Sequence, residues 1–408
     1  MIMNDKKIKK VPNVPNLRFL DDTEAWNEHL LGEICTFLKG NGISKGDLSN
    51  TGFPCILYGQ LYTTYKKEII KYVLSKTDTK LSKPILSVKN DVIIPGSGET
   101  PEDIATACCV LVDNVLYGGD LNIIRLYKHN GVFLSYQLNG KRKFDIAKIA
   151  QGKSIVHLHN EDLSKLKIYY PSKTNITNKI VSLLEKIDNR IETQSKIIKE
   201  NLLYKNCIIN TLIFHNELLN KQIKLEEIAT IKNGYSFKSN LYKNDGIYKV
   251  ITIANVTGDR YIQTKSCNLV EQINNDVQPH QILKINDILI SLTGNVGRVS
   301  LVNETNCLLN QRVGVLVPFI ESYREYIYQV ISTRKFENNM ILAGQGAAQK
   351  NIGNFDILNF KIPITDNIDY LNKISSILRK IDLKIQKETD MLDLYIRQKS
   401  FFLKNLFI

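Results

Sequence analysis

The phrase "KIVSLLEKIDNRI", beginning at Lys179, returns as "KISSILRKIDLKI" at Lys373, 194 residues later. Self-similarity at a fixed offset constrains a fold strongly, because one structural plan must then be used twice. The register holds well outside the helix phrase. "LGEI" at Leu31 returns as "LEEI" at Leu225. "AQGKSIVHLHNEDLSKLKI" from Ala150 faces "GQGAAQKNIGNFDILNFKI" from Gly344, sharing Gln151/Gln345, Gly152/Gly346, Asn160/Asn354 and Asp162/Asp356. "NDVIIPGSG" at Asn90 faces "NDILISLTG" at Asn286, with the offset slipped to 196 by loop insertions. The chain is a duplicated unit with variable loops.

Each copy reads as a mixed α/β part followed by a long helix. Strands are expected at "DVIIPG", "CCVLVD" and "LNIIRLY", and in the second copy at "YKVITIANV", "DILISL" and "RVGVLVP". Neither Pro nor Gly interrupts residues 175–214. Their apolar stripe runs through Ile176, Ile180, Leu183, Ile187, Ile191, Ile198, Leu202, Ile209 and Leu212. The second stripe runs through Ile374, Ile377, Ile381, Ile385, Leu392, Ile396 and Leu403. Spacings of three and four mark a helix seam. Such a helix spans roughly 60 Å at about 1.5 Å per residue, and alone its stripe would stay wet. The obvious partner is the other copy, packed antiparallel, with Ile180, Leu183, Ile187 and Ile191 against Ile374, Ile377, Ile381 and Ile385. Both stripes turn polar at matching places, Gln194/Ser195 and Glu388/Thr389; register-setting contacts and solvated interruptions are equally open readings.

The expected architecture is therefore α+β. Two mixed α/β globular domains, 1–172 and 220–365, alternate with helices at 173–219 and 366–408. The helices form an antiparallel coiled-coil spacer, and the whole is an internal pseudo-two-fold repeat. A spacer of fixed length suits a periodic target. Duplex DNA, repeating every ~34–36 Å, is one.

Charge points the same way. The chain carries +13 with a pI near 9.2, which suggests a polyanionic partner. The helical segments hold only +2 each, leaving +9 on the globular parts. Seven cysteines without CxxC spacing argue for free thiols in a reducing compartment and against a zinc site. No apolar core follows the charged start, and no 18-residue apolar run occurs, so neither signal peptide nor membrane span is expected. A cytoplasmic protein fits.

These phrases resemble a known family, the specificity subunits of type I restriction–modification enzymes. "PNLRFLDDTEAWNEHLLGEICTFLKGNGISKGDL" and "GFPCILYGQLYTTY" resemble that family's first target-recognition domain. "NGYSFKSNLYKNDGIYKVITIANVTG", "NDILISLTGNVGRVSLV" and "CLLNQRVGVLVP" resemble the second. The two "KID" helices resemble the family's central and C-terminal conserved regions. The resemblance implies that each domain reads one half of a split site in double-stranded DNA. It implies that the helices dock two methyltransferase subunits and that restriction (motor–nuclease) subunits join them. S-adenosylmethionine, ATP and Mg would belong to those partners, with no catalytic residue, metal or cofactor in this chain.

The residues themselves carry little chemistry. "AKIAQGKS", from Ala147 to Ser154, fits only the loosest phosphate-loop pattern, and its counterpart "GQGAAQK" has Ala347 in place of lysine. All ten prolines are isolated, so the Asn/Asp-Pro-Pro-aromatic loop of an adenine methyltransferase is missing. His157 and His159 lack neighbouring ligands in sequence.

Binding residues are better supported. "LYTTYKK" offers Tyr62, Tyr65, Lys66 and Lys67, and "KNGYSFKS" offers Lys232, Tyr235, Phe237 and Lys238. "TGNVGR" is a glycine turn carrying Asn295 and Arg298, and "NQR" supplies Gln311 and Arg312. Lys153 and Lys350 flank the equivalent glycine turns. Lysine and arginine neutralise phosphates, while Asn, Gln and Arg pair with base edges. Core aromatics beside solvated lysines are the plain alternative. Rival functions are a self-sufficient DNA-binding regulator, a coiled-coil scaffold without DNA, and a nucleotide hydrolase using Lys153.

Overall fold

The computed structural model describes residues 2–3, 13–150, 156–344 and 351–408. The chain divides into two compact units, Met1–Thr193 with Leu392–Ile408, and Gln194–Met391. Two long helices contribute to both. The central helix, Thr174–Ile209, ends in a π-helical turn, Asn210–Phe214, and the C-terminal helix covers Ile368–Asn405.

The first unit is built on a five-stranded sheet in the order Cys35–Lys39, Leu121–Leu126, Asp91–Pro95, Cys108–Val110, Ile69–Ile70. All pairings are antiparallel except the last. The middle strands read as continuous apolar runs because both faces are covered: Val92, Ile93, Ile94, Ile123 and Ile124 are fully buried. A four-stranded sheet, in the order Leu116–Tyr117, Phe53–Ile56, Ser75–Thr77, Leu48–Ser49, extends the unit. The helix Gly131–Asn139 fills the other side, capped by Asn130, whose side chain accepts from the Phe133 N–H at 2.9 Å.

The second unit repeats this plan. Ala229–Asn233, Val313–Pro318, Ile288–Ser291 and Val299–Leu301 form an antiparallel sheet in that order. Tyr248–Ile251 lies parallel to Cys307–Leu309, as Phe53–Ile56 lies parallel to Leu116–Tyr117. The helix Arg324–Ile331 occupies the place of Gly131–Asn139. The strands and long helices expected from the sequence are present.

The helix stripes correct one expectation. In the first unit Ile176, Ile180, Val181 and Leu184 join one core with Phe133, Tyr136 and Phe407. In the second unit Leu371, Ile374 and Leu378 join Ile209, Ile213, Tyr326 and Ile327. Much of each apolar face therefore covers its own globular domain as well as a helix. Ile187 is buried, Leu183 and Ile381 pack partly buried against these cores, and Ile191 and Ile385 are half-buried. Ile377, at 46% exposure, lies off the seam, as do Leu202 and Ile396. A seam of strict threes and fours overcounts, because a face that must also meet a domain drifts around the helix.

Within each unit the two helices run antiparallel: Asp188 meets Lys399 and Arg190 lies over Tyr395 in one, and Gln194 meets Glu388 and Lys205 meets Asp382 in the other. The polar interruption at Gln194 is a contact. Its buried side-chain amide donates to the Glu388 carbonyl at 3.0 Å and to its carboxylate at 2.5 Å. Those two residues are counterparts in the duplication, 194 positions apart.

Candidate nucleic-acid interface

In the second unit, three motifs far apart in sequence meet at one end of the main sheet. Strand Ala229–Asn233 ends there, Val313–Pro318 begins there, and the turn after Ile288–Ser291 closes there. The Tyr235 N–H donates to the Leu309 carbonyl at 2.8 Å, and the Gln311 N–H donates to the Tyr235 carbonyl at 2.9 Å. The Leu292 N–H donates to the Arg312 carbonyl at 3.0 Å. A Cβ at Gly234 would stand 2.2 Å from the Asn310 carbonyl oxygen, so only glycine permits this approach. The "TGNVGR" turn needs left-handed backbone at Gly294 and Gly297, with φ of 71° and 79°. The Ser291 hydroxyl pins it, donating to the Asn295 carbonyl and accepting the Arg298 N–H at 3.1 Å.

Around this edge Lys232, Lys238, Asn295, Gln311 and Arg312 are exposed. Among the described residues no carboxylate pairs with Lys232, Lys238 or Arg312. Backbone held by interlocking hydrogen bonds with free cationic tips is suited to a polyanion. Two candidates are committed elsewhere. The Tyr235 hydroxyl donates to Asp276 at 2.7 Å, and Arg298 lies 3.6 Å from Glu337. Asn351 bridges Thr293 in this cluster, while Lys350 lies outside the described residues, as do Lys153 and the glycine turns around both.

The first unit distributes its candidates differently. "LYTTY" forms a π-helical turn, Leu61–Tyr65, closed by Lys66 in the left-handed region at φ 49°. Tyr65 is a core residue, not a surface one. Its ring packs with Ile56, Leu61 and Ile70, and its hydroxyl accepts the Leu74 N–H at 3.2 Å. Lys67 pairs with Glu192 at 2.7 Å. Tyr62 and Lys66 line a cavity of about 330 Å³ together with Glu68, Glu102 and Asp103. That mixture of charge is a poorer seat for phosphate than the edge of the second unit.

The duplication identifies a first-unit edge that motif reading missed. Gly40 stands where Gly234 does, and its Cβ would meet the Gly118 carbonyl oxygen at 2.0 Å. The Asn41 N–H donates to the Tyr117 carbonyl at 3.2 Å, as Tyr235 does to Leu309. The Gly118 N–H donates to the Ile56 carbonyl at 2.9 Å, as Asn310 does to Ile251 at 3.1 Å. This edge carries exposed Lys39 and Lys45 in "LKGNGISKGD". The offset of 194 that pairs Leu31 with Leu225 also pairs Gly40 with Gly234, so the signal was in the sequence.

The residues leading into "QGKS" form the helix Lys143–Ile149, whereas a phosphate loop follows a strand. His157 and His159 stack with ring centroids 6.5 Å apart, and no group of three metal-ligating side chains occurs among the described residues. All seven cysteines are free, and burial pushes the Cys35 thiol up to about 12, away from thiolate chemistry. No helix is long and apolar enough to cross a membrane among the described residues.

Comparison with known proteins agrees with this duplicated plan. The family model for the type I restriction modification DNA specificity domain matches twice, over residues 23–201 and 219–393. No curated protein matches the chain. Among solved structures, the fold is similar to that of the type I restriction-modification system S subunit from M. genitalium. The identity is 17%, with 97% of this chain and 99% of that one covered at a TM-score of 0.63. A second, described as the structural basis underlying complex assembly and conformational transition of the type I R-M system, is 16% identical. It covers 93% of this chain and 96% of its own at a TM-score of 0.55. With both halves matched by the family model, the chain belongs to the type I restriction modification DNA specificity domain family, of which it carries two copies.

Proposed function

We propose that this chain is the DNA-sequence-specificity subunit of a type I restriction–modification complex. Residues 1–172 and 220–365 each read one half of a split site, and the helices at 173–219 and 366–408 space them as an antiparallel coiled coil. The same helices dock two methyltransferase subunits, and restriction subunits complete the assembly. S-adenosylmethionine, ATP and Mg act in those partners, in the cytoplasm, and this chain positions DNA without reacting with it. Base modification needs a nucleotide flipped from the stack into a catalytic pocket, and that pocket belongs to the methyltransferase.

One observation carries the reading. Two equivalent sheet edges share a backbone design, Gly40 on Gly118 and Gly234 on Asn310, yet carry different tips, Lys39 and Lys45 against Lys232, Gln311 and Arg312. A common scaffold with unlike tips is what two half-sites of different sequence require. Methylation-sensitive sequencing of DNA from cells with and without the chain tests it. A split methylated motif that appears only with the chain is expected; an unchanged methylation pattern beside active partner subunits would refute it.

A further inference from the structure

Each unit contains a buried polar cluster where its globular part meets the two helices, and the clusters are built from counterpart residues. Asp188 and Asp382 lie 194 apart, as do Lys205 and Lys399. In the first unit Lys399 contacts Asp188 at 2.7 Å, and in the second Lys205 contacts Asp382 at 2.6 Å. An Asp–Lys pair, one residue from each helix, thus occurs twice. A globular helix donates to each aspartate: the Tyr136 hydroxyl to Asp188 at 2.5 Å, and the Gln329 amide to Asp382 at 2.7 Å.

The fourth member differs. In the first unit it is Glu68, whose carboxylate meets Lys399 at 2.6 Å. In the second it is Arg260, whose guanidinium meets Asp382 at 3.0 Å. Glu68 and Arg260 occupy one topological position. The Glu68 carbonyl accepts from the Cys109 N–H at 2.8 Å, and the Arg260 carbonyl accepts from the Leu301 N–H at 2.7 Å. Each then enters a parallel pairing, Ile69 with Cys109 and Tyr261 with Leu301. Both side chains are buried, at 9% and 7% exposure. Opposite charges at one buried position would ordinarily be incompatible. They are accommodated because the helices present both signs.

We propose that the Asp–Lys pair on the two helices is a bipolar seat, which fixes a specificity domain through one buried charge of either sign. Glu68 takes the lysine side of its seat and Arg260 takes the aspartate side. A domain bearing arginine here would find Asp188 in the first unit, and one bearing glutamate would find Lys205 in the second. The seat is indifferent to which DNA sequence a domain reads, so this inference goes beyond the proposed function and does not need it. Glu68 and Arg260 are positioning residues. Arg260 brings its own compensation, a two-pronged pair with Glu325 at 2.7 and 2.8 Å.

Conversion of the second seat to the composition of the first tests this in the purified full chain, by thermal unfolding without DNA. Arg260→Glu alone sets a third carboxylate beside Asp382 and Glu325 and is expected to lower the midpoint by ~10 °C. Adding Glu325→Val leaves the glutamate on Lys205, as Glu68 sits on Lys399, and should recover at least half of the loss. Adding Lys205→Met as well should abolish that recovery, which a packing effect at position 260 would not do. A double variant no more stable than Arg260→Glu, whether unfolded or merely weak, would overturn the proposal, as would recovery that survives Lys205→Met.

Discussion

The two units answer one folding plan with different chemistry at the same three places. At the sheet edge, the second unit offers Arg312, Gln311 and Lys232, whereas the first offers Lys39 and Lys45. At the helix seat, the second unit uses an arginine and the first a glutamate. Below the edge, the first unit inserts the π-helical turn Leu61–Tyr65, which has no counterpart among the described residues of the second. The backbone contacts stay constant while the side chains they present diverge. Duplication has preserved how a domain is held and has freed what it displays.

Seven substitutions sharpen or break that comparison, beginning with the largest expected effect and ending with the smallest. Asp382 is buried at 5% and takes bonds from Lys205, Arg260 and Gln329. Asp382→Asn leaves Arg260 on Glu325 but takes from Lys205 its carboxylate, and should cost about 3–5 kcal/mol in denaturant unfolding. Asp188→Asn should cost only about 1–2 kcal/mol, since Lys399 keeps Glu68. Equal losses at the two sites would mean that the seats are not opposite in charge logic.

Gly40→Ala and Gly234→Ala should each destabilise by about 2 kcal/mol, because the added Cβ meets backbone in both. A neutral effect at either would break the equivalence of the edges. Arg312→Ala should weaken target binding by about 1–3 kcal/mol and relax one half-site only, whereas Lys39→Ala should weaken all sequences evenly and flatten the salt dependence by about one unit of slope. Competition binding against half-site variants separates the two. Lys67→Ala removes an exposed pair with Glu192 and should change stability by under about 0.5 kcal/mol.

The first seat also has a pH signature. Burial alone would push the Lys399 ammonium down, but Glu68 and Asp188 hold it above its ordinary 10.5. A group raised on folding stabilises fully below its unfolded value and loses that contribution as pH climbs through the folded one. Stability should therefore fall above about pH 10.5 in the parent chain and fall less in Lys399→Met.

The duplication, the strands and both long helices were legible in the sequence because period and offset are local, additive signals. The seats were not, although their aspartates lay inside the repeated phrases. Asp188 and Asp382 end "EKID" and "RKID" on a largely apolar face, which hydropathy reads as a solvated break. Asp382 is buried and Asp188 half-buried, each paired with a lysine from the other helix, a pairing no window contains. Tyr65 was misread for the converse reason: lysines beside it signalled surface, while the π-helical turn rotates its ring inward. Ile377 was misplaced because the stripe assumed a single neighbour.

The most direct test of independent reading heads on a common frame is to replace residues 220–365 with another specificity domain and sequence the methylated sites. One half of the split motif should change, with the other half and the gap retained. Alteration of both halves, or of neither, would contradict the account.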